Sequence, residues 1–160
     1  MTEVIDLKQY KIFGTFSDKQ LSELAKITEK KVYKKRAHVH ERSDRATRLF
    51  VVSKGLVSLR DIEPGDLVGI SYHICEPGEL FGTACLMELQ EYSLTAVCLE
   101  DSEVMAIEAD RFFELFEKDP GLGYNFMLKI AQLYFDRYKH AKNQLYEMVK
   151  APTIITALPG

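Results

Sequence analysis

A chain of 160 residues, 46% hydrophobic and 28% charged, carries enough apolar material for one sizeable core and too little polar bias for a disordered segment. A formal net charge of −3 gives the whole chain no general attraction to nucleic acid, and no apolar run approaches the roughly 20 residues needed to span a bilayer. Met1-Thr2-Glu3-Val4-Ile5-Asp6 lacks the basic and then apolar order of a signal segment, so the expectation is a cytoplasmic protein without a membrane partner.

Residues 1–29 read as helical. Ser17 is a candidate N-cap with Gln20 completing a capping box, and Leu21, Leu24, Ala25 and Ile27 fall largely on one face for docking onto a core. Lys30, Lys31, Lys34, Lys35 and Arg36, followed by Arg42, Arg45 and Arg48, make a basic region that reads either as a solvated strand face or as a place for an anionic partner. His38 and His40 alternate along a predicted strand and would project from one face, and His73 and Cys75 stand in the same relation. No four-ligand spacing accompanies them, so no metal and no cofactor is predicted.

From Lys31 to Ile107 short β-rich runs alternate with turns. The predicted strands include Leu49–Ser53, Leu56–Leu59, Leu67–Ile74, Ser93–Leu99 and Val104–Ile107, with turns at Lys54-Gly55 and at Asp61-Ile62-Glu63-Pro64-Gly65-Asp66. That count at that spacing fits a small sandwich or barrel. Cys75, Cys85 and Cys98 are odd in number, without CxxC spacing and in apolar contexts, which predicts reduced, buried thiols. Asp119-Pro120-Gly121 marks a break in helical pattern. A long helical pattern then runs from Leu122 to Lys150, with Met127, Ile130, Tyr134, Arg137, Ala141, Leu145 and Met148 recurring at steps of three and four. A stripe of that length exceeds what a small barrel buries, which points to a homodimer; packing on its own barrel is the alternative. Tyr134, Tyr138 and Tyr146 suit such an interface, though aromatic residues at helical spacing also serve as plain core. Ala151-Pro152-Thr153 ends the helix, and Ile154–Gly160 is a short apolar tail.

The densest motif is Pro77-Gly78-Glu79-Leu80-Phe81-Gly82, followed by Thr83-Ala84-Cys85-Leu86-Met87 and, ten residues after Gly82, by Tyr92-Ser93-Leu94-Thr95-Ala96. It resembles the phosphate-binding cassette of cyclic nucleotide-binding domains of the catabolite-activator and FNR regulator type, a likeness that extends over roughly residues 12–145. The resemblance implies a mainly β fold with flanking helices, an antiparallel jelly-roll (double-stranded β-helix) barrel between an N-terminal helix and a long C-terminal helix. One domain is expected over 1–160, with a helical part at 1–29, a β-roll at 30–108 containing the cassette at 77–97, helices at 109–150 and a tail at 151–160. It also implies ligand-binding positions at Gly78, Glu79, Leu80, Phe81, Gly82, Thr83, Ala84, Tyr92 and Ser93, and a dimer interface of Met127, Ile130, Tyr134, Arg137, Ala141 and Leu145.

In that family an acidic residue after the second glycine holds the ribose hydroxyl and an arginine before the serine neutralises the phosphate; the matching positions here are Thr83 and Tyr92. Arginine presents a permanently charged fork of donors, whereas a tyrosine hydroxyl presents one neutral donor. Charge-assisted bonds are roughly twice as strong as neutral ones. Ordinary binding of cyclic AMP or cyclic GMP is therefore not expected. Thr83 either opens a short helix whose N–H groups face an anion or is an N-cap with no ligand, and Glu79 is a structural or ribose-directed residue. The family's usual turn glycines are replaced by Arg36 and Ser43, and about ten residues follow the long helix, too few for the helix-turn-helix of the family's transcription factors, so direct DNA reading is not expected. No catalytic constellation is visible and an enzyme is not expected. Three functions remain: a regulatory sensor for another small-molecule effector, a dimerisation module whose pocket Tyr92 fills, or nucleotide binding rebuilt around Arg60 or Arg137.

Overall fold

The computed structural model describes residues 7–63, 65–66 and 69–150. The first six residues of the predicted helical start, Pro64, Leu67, Val68 and the apolar tail lie outside the described residues. The chain divides into two compact units, with the boundary between Phe126 and Met127.

The first unit opens on short helical segments, and the helical part expected over 1–29 gives way to strand at Thr28. A 3₁₀ turn at Lys11–Phe13 gives way at Gly14, and α1 then spans Asp18–Lys26. The predicted capping box is present: the Ser17 hydroxyl accepts from the Gln20 backbone N–H and the Gln20 side chain accepts from the Ser17 N–H. Two orphan N–H groups of the first turn are satisfied in this way. Leu21, Leu24 and Ala25 are buried, as their spacing predicts.

Eight strands follow: β1 Thr28–Tyr33, β2 His38–His40, β3 Arg48–Lys54, β4 Val57–Asp61, β5 Ile70–Cys75, β6 Leu80–Phe81, β7 Thr95–Cys98 and β8 Ser102–Glu108. They pair antiparallel in two four-stranded sheets, ordered β1-β8-β3-β6 and β2-β7-β4-β5. This alternation is the double Greek key of a jelly roll. The expected barrel is corrected in one respect: the sheets are not joined into a closed barrel. The edge strands β6 and β2 are two and three residues long, and β2 carries a register shift between His38 and His40, so neither edge offers a ladder long enough to close. β3 is central and buried on both faces at Leu49, Phe50, Val51 and Val52, which is why it reads as an unbroken apolar run. β1 lies at an edge and reads almost without hydrophobic signal. Its lysines are solvated and matched by acids, Lys30 with Glu103 at 2.8 Å and Lys31 with Glu29 at 3.5 Å, while Lys34 just beyond it meets Asp101 at 2.8 Å.

α2 spans Ala109–Lys118 and α3 spans Pro120–Val149. The break between them is built by Asp119, whose carboxylate accepts from the Leu122 N–H at 3.0 Å as an N-cap while Pro120 takes the first helical position. The second Asp119 oxygen accepts from Gln20 Nε2 at 2.5 Å, tying α1 to this corner. Phe13, Phe16, Phe112, Phe116 and Phe126 interlock beneath, with ring centroids 4.5–6.4 Å apart. In the second unit α3 continues to Val149, and Tyr134, Phe135, Tyr138, Leu145, Tyr146 and Met148 are exposed along it.

Arg36 and Ser43, which occupy turn positions where glycine is usual, have φ of 73° and 70°. Each donates its backbone N–H at 2.8 Å to a segment distant in sequence, to Cys98 O and Tyr92 O respectively. The turns thus keep a glycine's backbone on residues that carry a Cβ, at a steric cost in the left-handed region. Arg36→Gly and Ser43→Gly are each expected to raise the unfolding free energy by about 0.5–1 kcal/mol, after the entropic penalty of glycine in the unfolded chain is deducted. Chemical denaturation checks this, and an unmoved or lowered midpoint would refute it.

Candidate functional site

The backbone of the Pro77–Met87 motif takes the turns that its glycines suggest. Gly78 and Gly82 both take positive φ, 93° and 72°. At Gly82 the requirement is also steric, because a Cβ there would stand 2.8 Å from Phe50 Cδ2 and 3.2 Å from Arg48 O. Thr83–Leu86 forms a 3₁₀ helix of four residues, and its N-cap is Gly82, with no side-chain cap. Thr83 is therefore not the N-cap, and it is buried at 3% exposure. Leu80 and Phe81 belong to β6 and point into the core, Gly78, Glu79, Gly82 and Ala84 are half-buried, and Ser93 is exposed. Of the nine predicted ligand positions, Ser93 alone is openly exposed to solvent.

Glu79 is committed within its own loop. One carboxylate oxygen accepts from the Glu76 N–H at 2.7 Å and the other lies 3.0 Å from His73 Nε2. It holds the Glu76–Glu79 turn closed and fixes His73 at the same time.

Tyr92 is 5% exposed. Its backbone is anchored to the 43–46 segment, with Ser43 N donating to Tyr92 O at 2.8 Å and Tyr92 N donating to Asp44 O at 3.0 Å. Its hydroxyl donates to Arg48 O at 2.7 Å and accepts from Arg48 N at 3.3 Å. Burial pushes the phenol up to about 12, with the backbone bonds of Arg48 and Thr47 acting against it. The ring stacks on His40 at 3.8 Å between centroids and 13° between planes. Phe50 and Phe81 complete the group, each 5.9 Å from His40 and 5.1 Å from one another.

The histidines come apart for a definite reason. His38 opposes Val97 while His40 opposes Ala96, so the bulge at β2 inserts one extra residue. Neighbouring residues on β7 face opposite ways, and the two imidazoles with them: His38 is outside, 3.3 Å from Glu41, and His40 is inside. The expectation that both project from one face is corrected by this bulge. His40, Ala96, Leu59 and His73 form one row across the sheet, which places His40 and His73 three strand spacings, about 14 Å, apart. They are too distant to share an ion, and among the described residues no group of three or more His, Cys, Asp or Glu side chains is placed to hold a metal.

His40 is 9% exposed, and neither ring nitrogen has a partner at hydrogen-bond geometry. Desolvation lowers its pKa to about 4, with the Leu94 backbone and Asp44 pulling weakly the other way. Cys85, also buried, is pushed up to about 12 by desolvation and is an inert thiol at neutral pH. Sequence reasoning missed His40 as a wall of the site, because its inward aim depends on a bulge that no local pattern announces.

Three arginines, Arg42, Arg60 and Arg48, are engaged with partners of their own. Arg42 donates to Asp61 at 2.6 Å and Glu63 at 2.5 Å, Arg60 Nε donates to Ser58 Oγ at 2.9 Å, and Arg48 lies 3.8 Å from Glu108. A groove of about 410 Å³ lies elsewhere, between α1 and the α2–α3 corner, lined by Gln20, Glu23, Leu115, Lys118, Asp119 and Leu122 among others.

No described helix is long and apolar enough to cross a membrane. No curated protein matches the chain by sequence. Among solved structures, a putative cyclic nucleotide-binding protein from Geobacter metallireducens superposes with a TM-score of 0.77 at 24% identity, covering 86% of this chain and 99% of that one. The sensor domain of the transcriptional regulator DNR from Pseudomonas aeruginosa gives 0.71 at 18% identity, over 84% of this chain and 90% of that one. The catabolite activator protein of Thermus thermophilus gives 0.67 at 23% identity, over 86% of this chain and 62% of that one. These likenesses establish a shared fold. The family model for the cyclic nucleotide-binding domain matches residues 30–119, more than half of the chain, with the cassette and all of the strands except the first two residues of β1, and the chain belongs to that family.

Proposed function

We propose that this chain is a non-enzymatic, cytoplasmic regulatory domain that has exchanged nucleotide recognition for a packed pocket wall and works through contacts with other protein chains, first with a second copy of itself. The seat of Tyr92 carries this reading. Where the family pattern has an arginine for the cyclic phosphate, the chain has a ring stacked on His40 and a hydroxyl closed on the Arg48 backbone. A phosphate placed there would meet a neutral phenol, at a desolvation cost of several kcal/mol. Arg60, one candidate replacement, is held against Ser58.

The pairing element is α3. Tyr134, Tyr138 and Leu145 are 45%, 62% and 61% exposed, and an apolar stripe of that length is costly in water. Ile130 is already buried at 3% exposure and Arg137 is half-buried, so the contacts would come from Met127, Tyr134, Ala141 and Leu145 with Tyr138 beside them.

The unpaired nitrogens of His40 favour a second reading, in which a small effector enters when Tyr92 swings aside and offers the imidazole a hydrogen bond. A buried nitrogen left without a full hydrogen bond costs about 1–3 kcal/mol, which such a ligand would recover.

Millimolar cyclic AMP and cyclic GMP are expected to leave the thermal midpoint unchanged. A ligand at 100 times its Kd adds about 2.7 kcal/mol, so a rise of roughly 5–11 °C would overturn the first reading and restore the family's usual activity. For α3, Tyr138→Asp and Leu145→Asp, both at sites exposed in the single chain, are expected to halve the mass measured by light scattering at micromolar concentration. A mass that stays that of a dimer, or a wild type that is already monomeric, rejects pairing through this helix.

His40 sets an acid dependence. Its folded pKa of about 4 lies below the ordinary value of 6.5, so the unfolded chain binds the proton first as pH falls. Stability is complete above pH 6.5 and declines toward pH 4, by on the order of 3 kcal/mol from this group. His40→Phe keeps the ring and deletes both nitrogens; it is expected to flatten that part of the profile, and an unchanged slope between pH 6.5 and 4 would contradict the burial argument.

A further inference from the structure

The outermost strand of a sheet carries a row of unpaired N–H and C=O groups, and folds guard such edges with charge, proline or brevity. The two sheets have four edges, β1, β6, β2 and β5. β1 is guarded by Glu29, Lys30 and Lys31, while β6 and β2 have only two and three residues. β5 is six residues long, Ile-Ser-Tyr-His-Ile-Cys, with no acid, lysine, arginine or proline. Ile70, Tyr72 and Ile74 are 67%, 53% and 46% exposed along it. The polar side chains between them are turned to their own chain: Ser71 Oγ lies 2.8 Å from Ser58 Oγ, and His73 Nε2 lies 3.0 Å from Glu79. The strand therefore offers backbone and apolar side chains to solvent and keeps its polar side chains for the fold.

Charge defines the occupant. Asp66 and Glu76 flank the strand in sequence, both exposed, and neither forms an ion pair with a described residue. The other acids nearby, Asp61 and Glu63, are taken by Arg42, and Arg60, opposite Ser71, is bonded to Ser58. We propose that β5 is a docking edge for an extended segment of a partner protein, which adds as a fifth strand through backbone hydrogen bonds, with apolar residues at alternate positions and Lys or Arg at both ends. A second copy of β5 is the poorer occupant, because antiparallel self-pairing brings Glu76 of each copy toward Asp66 of the other, and like charges across a ladder are destabilising.

The test uses the full chain and three labelled peptides with the same alternating valine–threonine centre: one with paired lysines at both ends, one with paired glutamates there, and a backbone N-methylated form of the lysine peptide. The lysine peptide is expected to bind and to shift the amide resonances of residues 70–75. The glutamate peptide binds at least ten-fold more weakly and the N-methylated one not at all. Tyr72→Lys, a change at an exposed position that leaves the melting temperature in place, weakens the lysine peptide at least ten-fold. Absence of binding at millimolar peptide, equal binding of all three, or shifts at these amides caused by self-association would each overturn the proposal. None of these outcomes bears on nucleotide binding or on pairing through α3, so the two readings stand or fall separately.

Discussion

Four rings drawn from both sheets and from the cassette meet at the centre of the roll, and much else in the structure is arranged to keep them there. His40 comes from β2, Phe50 from β3, Phe81 from β6 and Tyr92 from the segment before β7. Aromatic contacts of this kind are worth about 0.5–1.5 kcal/mol each beyond the area they bury. Tyr92 adds a polar lock, since its hydroxyl has both a donor and an acceptor in the Arg48 backbone and so enters the core without an orphaned group. The bulge at β2 turns His40 inward, Gly82 lets the cassette close onto Phe50, and the left-handed backbone of Ser43 carries the chain to the carbonyl of Tyr92.

A phosphate-binding cassette in this family implies a frame and a pair of charged anchors. The frame persists because it is a property of backbone: two glycines with positive φ, a turn closed by a carboxylate, and a short helix. Side chains can vary on such a frame provided that buried polar groups find partners. Tyr92 finds them in the Arg48 backbone, and Thr83 is buried. Glu79 shows the same economy, serving the turn and His73 with its two oxygens.

Much of this was legible in the sequence where one residue's surroundings are set by its close neighbours. The capping box at Ser17, the apolar run of β3, the burial of the cysteines and the stop at Asp119-Pro120 are local matters, and each lies where the pattern placed it. β1 was blurred at its start because it is an edge strand whose lysines find partners on β8 and beyond, information that no window of a few residues holds. The aim of His40 depends on a bulge, the identity of the N-cap on the φ of Gly82, and the resting place of Tyr92 on Arg48, 44 residues earlier. Those are tertiary facts, and the candidate site is made of them.

The pairing of β1 with β8 sets Thr28 against Ile107 and Tyr33 against Ser102, so the first strand made is completed by the last. During synthesis β1 therefore waits for some seventy residues of later chain before it has a partner, while β4 and β5, joined by a short hairpin, can pair early. Closing so long a loop carries an entropic cost that only the finished sheet repays. The charges along β1 acquire a second use on this account: a lysine-rich strand stays in solution while it waits, and the roll is sealed by a segment that has little tendency to aggregate on the way.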